Sequence, residues 1–271
     1  MVARNQVEAW AKRGKKVIDV DENLAISTQL GIYDLYVDKH DTSLGSCLIN
    51  DGFWEAWITA WMLRNIAEDF VCVDVGANMG YYTMLMAYMA TKTGHVYAFE
   101  PQKKFADLIK KSADLNRYEN VVVFEKALSD KEGIVNLAIP GDMFGSASIH
   151  EQSFDPKWGV QTNVEVEATT MDNIFGDWTQ VDFIKIDAEG AEPLIWAGMQ
   201  KVIDANPHIT IAMEWDANNW TPQECSDFIN VVEEKMSINR INYDGFEEPV
   251  TRADLETSNG EWQMMALRHK E

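Results

Sequence analysis

The chain has 271 residues, 46% of them hydrophobic, with ten Trp and thirteen Met; that is enough apolar material for a full core, and it excludes a disordered chain. A formal net charge of −21 argues against binding to nucleic-acid backbones and to anionic membranes, since both need clustered Lys and Arg. Cys47, Cys72 and Cys225 form no C-x-x-C pair and an odd set, so neither a disulfide framework nor a zinc site is expected. The N-terminus lacks the apolar stretch of a signal peptide. The longest apolar run, near residues 81–90, is far below the ~18 residues needed to span a bilayer. A cytoplasmic protein is expected.

Residues 1–16 read as a short helix with Val7, Trp10 and Ala11 on its apolar side, and residues 17–50 as short strands or a hairpin. From Phe53 the spacing turns helical. Trp54, Trp57, Ile58, Trp61 and Met62 fall on one face, as a packed aromatic stripe does. Glu55 stands at the start of that helix, either as an ordinary first-turn glutamate or within reach of a cofactor's amino group. Residues 1–66 are taken as an extension packing on a core domain of residues 67–271.

That domain is organised around Phe70-Val-Cys-Val-Asp-Val-Gly-Ala-Asn-Met-Gly80. Phe70 to Val75 read as a strand buried on both faces. Gly76 and Gly80 then open an almost wholly apolar helix, Tyr81 to Ala90. Strand, glycine turn and helix make half of a Rossmann-like unit, with the helix N-terminus aimed at a ligand. The next strand, His95 to Phe99, ends in Glu100, about twenty positions past the turn, where such folds hold ribose hydroxyls. The cofactor therefore carries adenosine. Asp74-x-Gly76-x-Asn78-x-Gly80 lacks the G-x-G of dinucleotide sites and begins with a carboxylate. A carboxylate repels a pyrophosphate but suits the ammonium and sulfonium of S-adenosylmethionine, which is preferred over NAD.

Beyond Pro101, Phe105, Leu108 and Ile109 mark an amphipathic helix with four lysines on its wet face, and Val121 to Phe124 a third buried strand. Residues 125–170 read as irregular apart from an alternating strand at 163–167, which is long for a connection and suggests a functional insertion. A strand at 181–187 follows, then one helix starting near Pro193 and a fifth strand ending in Glu214-Trp215. Thr221-Pro-Gln-Glu224 is a capping box, and two strands, near 238–243 and 262–268, close the sheet.

Lys185 and Asp187 share one face of their strand, at the carboxyl end where the ligand crevice opens. A buried lysine needs a carboxylate nearby. The pair is either a structural brace for the turn or, with Glu189, part of a reaction centre. Glu214 joins them if its strand is the neighbour. No His-and-carboxylate spacing marks a metal site, although Asp187, Glu189 and Glu214 could gather an ion.

Together V-D-V-G-A-N-M-G-Y-Y-T at 73–83, F-E-P at 99–101, A-L-S-D at 127–130, G-S-A-S at 145–148, I-K-I-D-A-E-G-A-E at 184–192 and M-E-W at 213–215 resemble the FkbM-type S-adenosylmethionine-dependent methyltransferases. The likeness runs from about Gly52 to Trp215. Met171-Asp172-Asn173 departs from the leucine and two aspartates more usual there. The resemblance implies an α/β, Rossmann-like class I methyltransferase fold, with a mostly parallel seven-stranded sheet and helices on both faces. It implies cofactor binding by Asp74, Gly76, Asn78, Gly80 and Glu100, and O-methylation of a sugar or other small-molecule hydroxyl.

Methyl transfer from a sulfonium needs chiefly alignment and a base for the acceptor proton. Asp187 and Glu189 are the first candidates for that base, with His150 third. The expected partner is a small-molecule or glycan acceptor, with no nucleic acid and no membrane; the oligomeric state is left open. The rival reading is a catalytically silent S-adenosylmethionine-binding regulatory subunit, and only turnover separates the two.

Overall fold

Alternate residues of the central strands face two different apolar layers, and this alternation builds the molecule. In the computed structural model, which describes residues 2–141, 144–150, 160–178, 180–258 and 261–270, Cys72, Val96, Ala98, Phe183 and Ala212 enter one core, whereas Val73, Phe99, Ile184, Ile186 and Met213 enter the other.

The chain starts with α1 (Arg4–Gly14), the antiparallel meander β1 (Val17–Asp19), β2 (Leu24–Gln29) and β3 (Tyr33–Asp38), then α2 (Leu44–Asn50) and α3 (Ala56–Asn65). The Rossmann-like unit follows as β4 (Val71–Val75), α4 (Tyr81–Ala90), β5 (His95–Phe99), α5 (Lys103–Asn116) and β6 (Val121–Phe124). The first 66 residues share a core with α4 and α5: Val7, Leu35, Leu48 and Ile58 pack with Leu85, Met86 and Phe105. Side chains of α5 also satisfy the edge of β3. The Tyr36 N–H donates to Ser112 Oγ at 3.0 Å, and Asn116 exchanges two bonds with the Asp34 backbone.

The stretch taken as irregular is a second small sheet. β7 (Ala127–Leu128), β8 (Gly133–Pro140) and β9 (Gln161–Thr169) pair in the order β7-β9-β8. The alternating strand expected at 163–167 is the middle of β9, most of which is exposed; β7 and β8 go beyond that expectation. Residues 142–143 and 151–159 of the expected insertion lie outside the described residues. α6 (Met171–Phe175) leads to β10 (Phe183–Ile186). The single helix expected near Pro193 is two, α7 (Glu192–Ala197) and α8 (Gln200–Ala205). It breaks at Gly198, where a Cβ would lie 2.1 Å from the Ser129 carbonyl oxygen. Asp172 of the departing Met-Asp-Asn string accepts from the Lys201 and Val202 N–H groups and so caps α8.

β11 (Thr210–Trp215), α9 (Pro222–Glu233), β12 (Met236–Ile241), β13 (Glu247–Pro249), α10 (Arg252–Thr257) and β14 (Gln263–His269) complete the chain. The capping box of α9 is formed by Thr221 and Glu224. The main sheet has the order β13-β12-β14-β11-β10-β4-β5-β6. It holds eight strands where seven were expected. The extra one, β13, is a three-residue edge strand against β12, too short to read from periodicity. β14 and β13 run against the rest; the sheet is mostly parallel, with helices on both faces, in the class I methyltransferase arrangement. Strand order reverses between β4 and β10, which makes the crevice at their carboxyl ends the ligand site of a doubly wound sheet. Among the described residues no helix is long and apolar enough to cross a membrane.

Candidate active site

A cavity of about 540 Å³ opens at that crevice, lined by Gly76, Asn78, Glu100, Lys185, Asp187, Glu189 and Glu214, with Glu55, Tyr82, Trp54 and Trp262 among its other walls. Its volume is in the range of small-molecule sites. Two ends can be distinguished by which strands supply them.

The first end belongs to β4 and β5. After Val75 the chain must turn beneath β10, and Gly76 takes φ +73° with no room to spare. A Cβ there would lie 1.9 Å from the Asp187 carbonyl oxygen. The Gly76 and Ala77 N–H groups both donate to Phe99 O at 3.1 Å, which ties the glycine turn to the end of β5. Gly80, at φ +87°, is the residue before α4, and its Cα faces Ile109 of α5. Glu100 is buried. Its Oε2 accepts from the Asn78 N–H and its Oε1 from the Gln102 N–H, each at 2.8 Å. Burial pushes Glu100 up to about 7 against the pull of those two donors. Asp74 is fully buried, and its Oδ2 accepts from Thr83 Oγ1 at 2.6 Å. Burial raises its pKa, while Lys185 and Thr83 oppose the rise.

The second end belongs to β10 and β11. The register sets Lys185 beside Asp74 on one side and Ala212 on the other, so Asp187 and Glu214, two residues further on, leave the sheet on the same face. Lys185 is almost wholly buried, and its Nζ lies 2.9 Å from Asp187 Oδ2 and 4.8 Å from the Tyr82 ring centroid. Burial alone would lower its pKa, but Asp187, Asp74 and Glu55 together raise it, so Lys185 is a fixed cation. Tyr82 OH donates to Glu55 Oε2 at 2.6 Å, which links Glu55, Tyr82, Lys185 and Asp187 across the cavity floor. Burial and then the Asp187 charge push Glu55 up to about 8, although Tyr82 and Lys185 pull the other way.

Asp187, Glu189 and Glu214 offer carboxylate oxygens that all lie within 4.8 Å of one another. Glu189 and Glu214 are both held well above the usual carboxylate range, by burial first and by the Asp187 charge second. Glu192 behind them accepts from the Ala188 N–H at 2.9 Å and is pushed by burial up to about 7.

Of the site residues expected from the sequence, Glu55, Gly76, Asn78, Glu100, Lys185, Asp187, Glu189 and Glu214 line this cavity, whereas Asp74 and Gly80 do not. Glu55 stands at the residue before α3, in the left-handed region at φ +38°, and turns toward Tyr82. His150 is not among the lining residues; its Nε2 donates to the Asn219 carbonyl oxygen at 3.0 Å. Tyr82 and Thr83 were missed. In the sequence they are two more bulky residues of a buried helix, and only their hydroxyls, aimed at Glu55 and Asp74, give them a role.

The first end suits S-adenosylmethionine. Asp74 Oδ1 and Asn78 Oδ1 are buried acceptors with no donor among the described residues, and Asn78 lines the cavity beside Gly76. These acceptors match the ammonium and ribose hydroxyl donors of the cofactor, and a carboxylate-walled site disfavours a pyrophosphate.

The methyltransferase FkbM domain matches residues 74–242. A protein-L-isoaspartate O-methyltransferase of Methanosarcina mazei is 33% identical over 61 residues, covering 22% of this chain and 25% of that protein. Among solved structures, the methyltransferase FkbM of Methylobacillus flagellatus is 14% identical with a TM-score of 0.45, over 74% of this chain and 44% of that one. TYW2 of P. horikoshii, solved in complex with MeSAdo, is 10% identical with a TM-score of 0.49, over 92% and 72%. With its glycine turn, its two carboxylate-ended strands and a domain match over most of its length, the chain belongs to the FkbM family of S-adenosylmethionine-dependent methyltransferases.

Proposed function

We propose that this protein transfers the methyl group of S-adenosylmethionine to a hydroxyl oxygen of a small-molecule or glycan acceptor. The observation that carries the reading is the convergence of Asp187, Glu189 and Glu214 in the same cavity as the cofactor-binding turn. An alcohol must lose its proton as it attacks, and a carboxylate held at that place can take it.

Asp74, Asn78 and Glu100 bind the cofactor, and the Gly76 backbone lets it approach the strand end. S-adenosylmethionine supplies a methyl carbon activated by a sulfonium. Lys185 fixes Asp187 so that its free oxygen stays aimed into the cavity, and the aromatic walls, Trp54, Tyr82 and Trp262, exclude water around the acceptor. Alignment of this kind supplies most of the acceleration that a displacement on an activated carbon needs. The cavity volume and the charge of −21 favour a small uncharged acceptor over a nucleic acid.

The test is incubation of the protein with methyl-labelled S-adenosylmethionine and a small-molecule extract, followed by mass spectrometry. Label in a hydroxyl-derived ether is the expected result. Tight cofactor binding with no turnover on any fraction would favour a silent binding subunit, and label in RNA would overturn the small-molecule acceptor.

A further inference from the structure

We infer that the acceptor end of the cavity binds one divalent cation of the Mg²⁺, Mn²⁺ or Ca²⁺ type, with Asp187, Glu189 and Glu214 as its protein ligands. The spacing comes first. Two oxygens on one ion lie at most twice the metal–oxygen distance apart, about 4.2 Å for Mg²⁺ and about 4.6–5.2 Å for Ca²⁺. Three ligands spread evenly around one ion lie at most about 4.5 Å apart on Ca²⁺ and about 3.6 Å apart on Mg²⁺, so three carboxylate oxygens within 4.8 Å of one another come close to the span of the larger ion and must draw in further for the smaller. An all-carboxylate set is hard, which selects these ions over zinc or copper.

Glu214 supplies an independent observation. It is 9% exposed, and its Oε2 is shut off from solvent with no hydrogen-bond donor. A buried carboxylate oxygen without a donor is costly, and this one stands in a cavity wall beside two further carboxylates. Among the described residues no cation is paired with it. Lys185 is the one buried cation among the described residues, and its Nζ is engaged 2.9 Å away with Asp187 Oδ2. Lys126, the other lysine of the cavity wall, is paired 3.0 Å away with Glu167. Asp187 can serve both partners, since one oxygen faces Lys185 and the other remains for an ion.

The chemical role follows from the proposed methyl transfer and rests on that reading; the binding itself does not. Three protein ligands leave coordination positions for water or an acceptor hydroxyl, and a hydroxyl on a divalent cation gives up its proton more readily. The proton passes to a carboxylate oxygen that is not on the ion. The freed electron pair forms the O–CH₃ bond, the C–S bond breaks, and its pair stays on sulfur. Atoms and electrons balance with no further reactant.

The rival is a proton shared between Glu189 and Glu214 in place of an ion. Titration with Mn²⁺ alone, followed by electron paramagnetic resonance in about 0.15 M salt to suppress diffuse surface binding, separates the two. The expected result is saturation at one Mn²⁺ per chain, displaced by Ca²⁺ or Mg²⁺, with protons released on binding. Glu214→Gln should weaken the site at least tenfold, and Asp107→Asn, at an exposed carboxylate, should leave it unchanged. If Glu214→Gln does not fold, Glu189→Gln carries the same arms. No saturable single site, or equal affinity in the parent and a folded Gln variant, overturns the inference. Mn²⁺ bound at this site without methyl transfer to any hydroxyl would remove the proposed function and keep the cation. Full methyl transfer in a chain that binds no Mn²⁺ would do the reverse.

Discussion

The two ends of the cavity hold similar numbers of buried carboxylates but neutralise them in opposite ways. At the β4–β5 end the partners are local donors. Glu100 accepts from the N–H groups of Asn78 and Gln102, and Asp74 accepts from Thr83. At the β10–β11 end the carboxylates face one another, and the buried Lys185 is paired with one of them, Asp187. Backbone donors fix an acceptor in place and leave little to change on binding, which suits a cofactor common to a whole family. Mutually repelling carboxylates are poised to take a proton or a cation, and this is the end where a reaction has something to gain. The two ends meet at one contact, where Gly76 passes beneath the Asp187 carbonyl.

The largest effect is expected at that contact. Gly76→Ala would place a Cβ 1.9 Å from the Asp187 oxygen at φ +73°. Overpacking and the left-handed conformation together should cost about 3 kcal/mol or more. Both ends should fail together, with cofactor binding lost and the melting temperature lowered by roughly 10 °C. A variant that melts normally and loses only binding would show that the ends are not mechanically joined.

The next change separates them. Asp187→Asn and Glu189→Gln should leave S-adenosylmethionine affinity within a fewfold of the parent and lower methyl transfer about a hundredfold or more, the usual cost of a lost general base. Measuring affinity, melting temperature and turnover on the same samples decides the matter. Parallel loss of all three would make Asp187 a brace for the turn, and near-normal turnover in both variants would remove this strand end from the mechanism.

Glu100→Gln tests the other end. The amide nitrogen would have to face either the Asn78 or the Gln102 N–H, so a bond is lost and a donor is set against a donor. Cofactor affinity should fall about ten- to a hundredfold, and the unliganded protein should melt a few degrees lower. The two backbone bonds are the source of that structural cost. Unchanged affinity by calorimetry would remove Glu100 from the cofactor site.

The same contrast explains what could be read before folding. The β4–β5 end is legible because its parts are contiguous: a strand, a turn whose two glycines take positive φ, and an acidic residue a fixed distance on. Lys185 and Asp187 are legible as a same-face pair, and Glu214 as a strand end, because the parallel register of β10 and β11 carries strand position directly into space. Tyr82 and Thr83 were not, since a hydroxyl's direction depends on helix rotation against β4 and α3. β9 was legible in part, from the alternation at 163–167, whereas β7 is only two residues long and β8 is too exposed to carry a regular pattern. The break at Gly198 depends on a carbonyl nearly seventy positions earlier in the chain, and no local pattern carries it.

The smallest predicted effect concerns Glu55, which sits between the two ends. Its carboxyl is pushed up to about 8 from an ordinary value of 4.5. An unfolded chain therefore releases this proton near pH 4.5, whereas the folded chain keeps it until about pH 8. Over that window the folded state binds more protons, so stability is greatest at the acid side and is lost as pH rises through the folded value. Glu100 and Glu192, both near 7, act in the same direction. The unliganded parent should thus melt progressively lower from pH 5.5 to 8.5. Glu55→Gln fixes the neutral form and should make that decline shallower, by an amount on the order of 2 kcal/mol at the alkaline end. The Tyr82 hydroxyl can still donate to the amide oxygen, so the acid-side melting temperature should change little. Scanning calorimetry of both proteins across that range is the measurement. Equal slopes would show that Glu55 does not carry the proton, and would leave the pH dependence to the other raised carboxyls, Glu100, Glu189, Glu192 and Glu214.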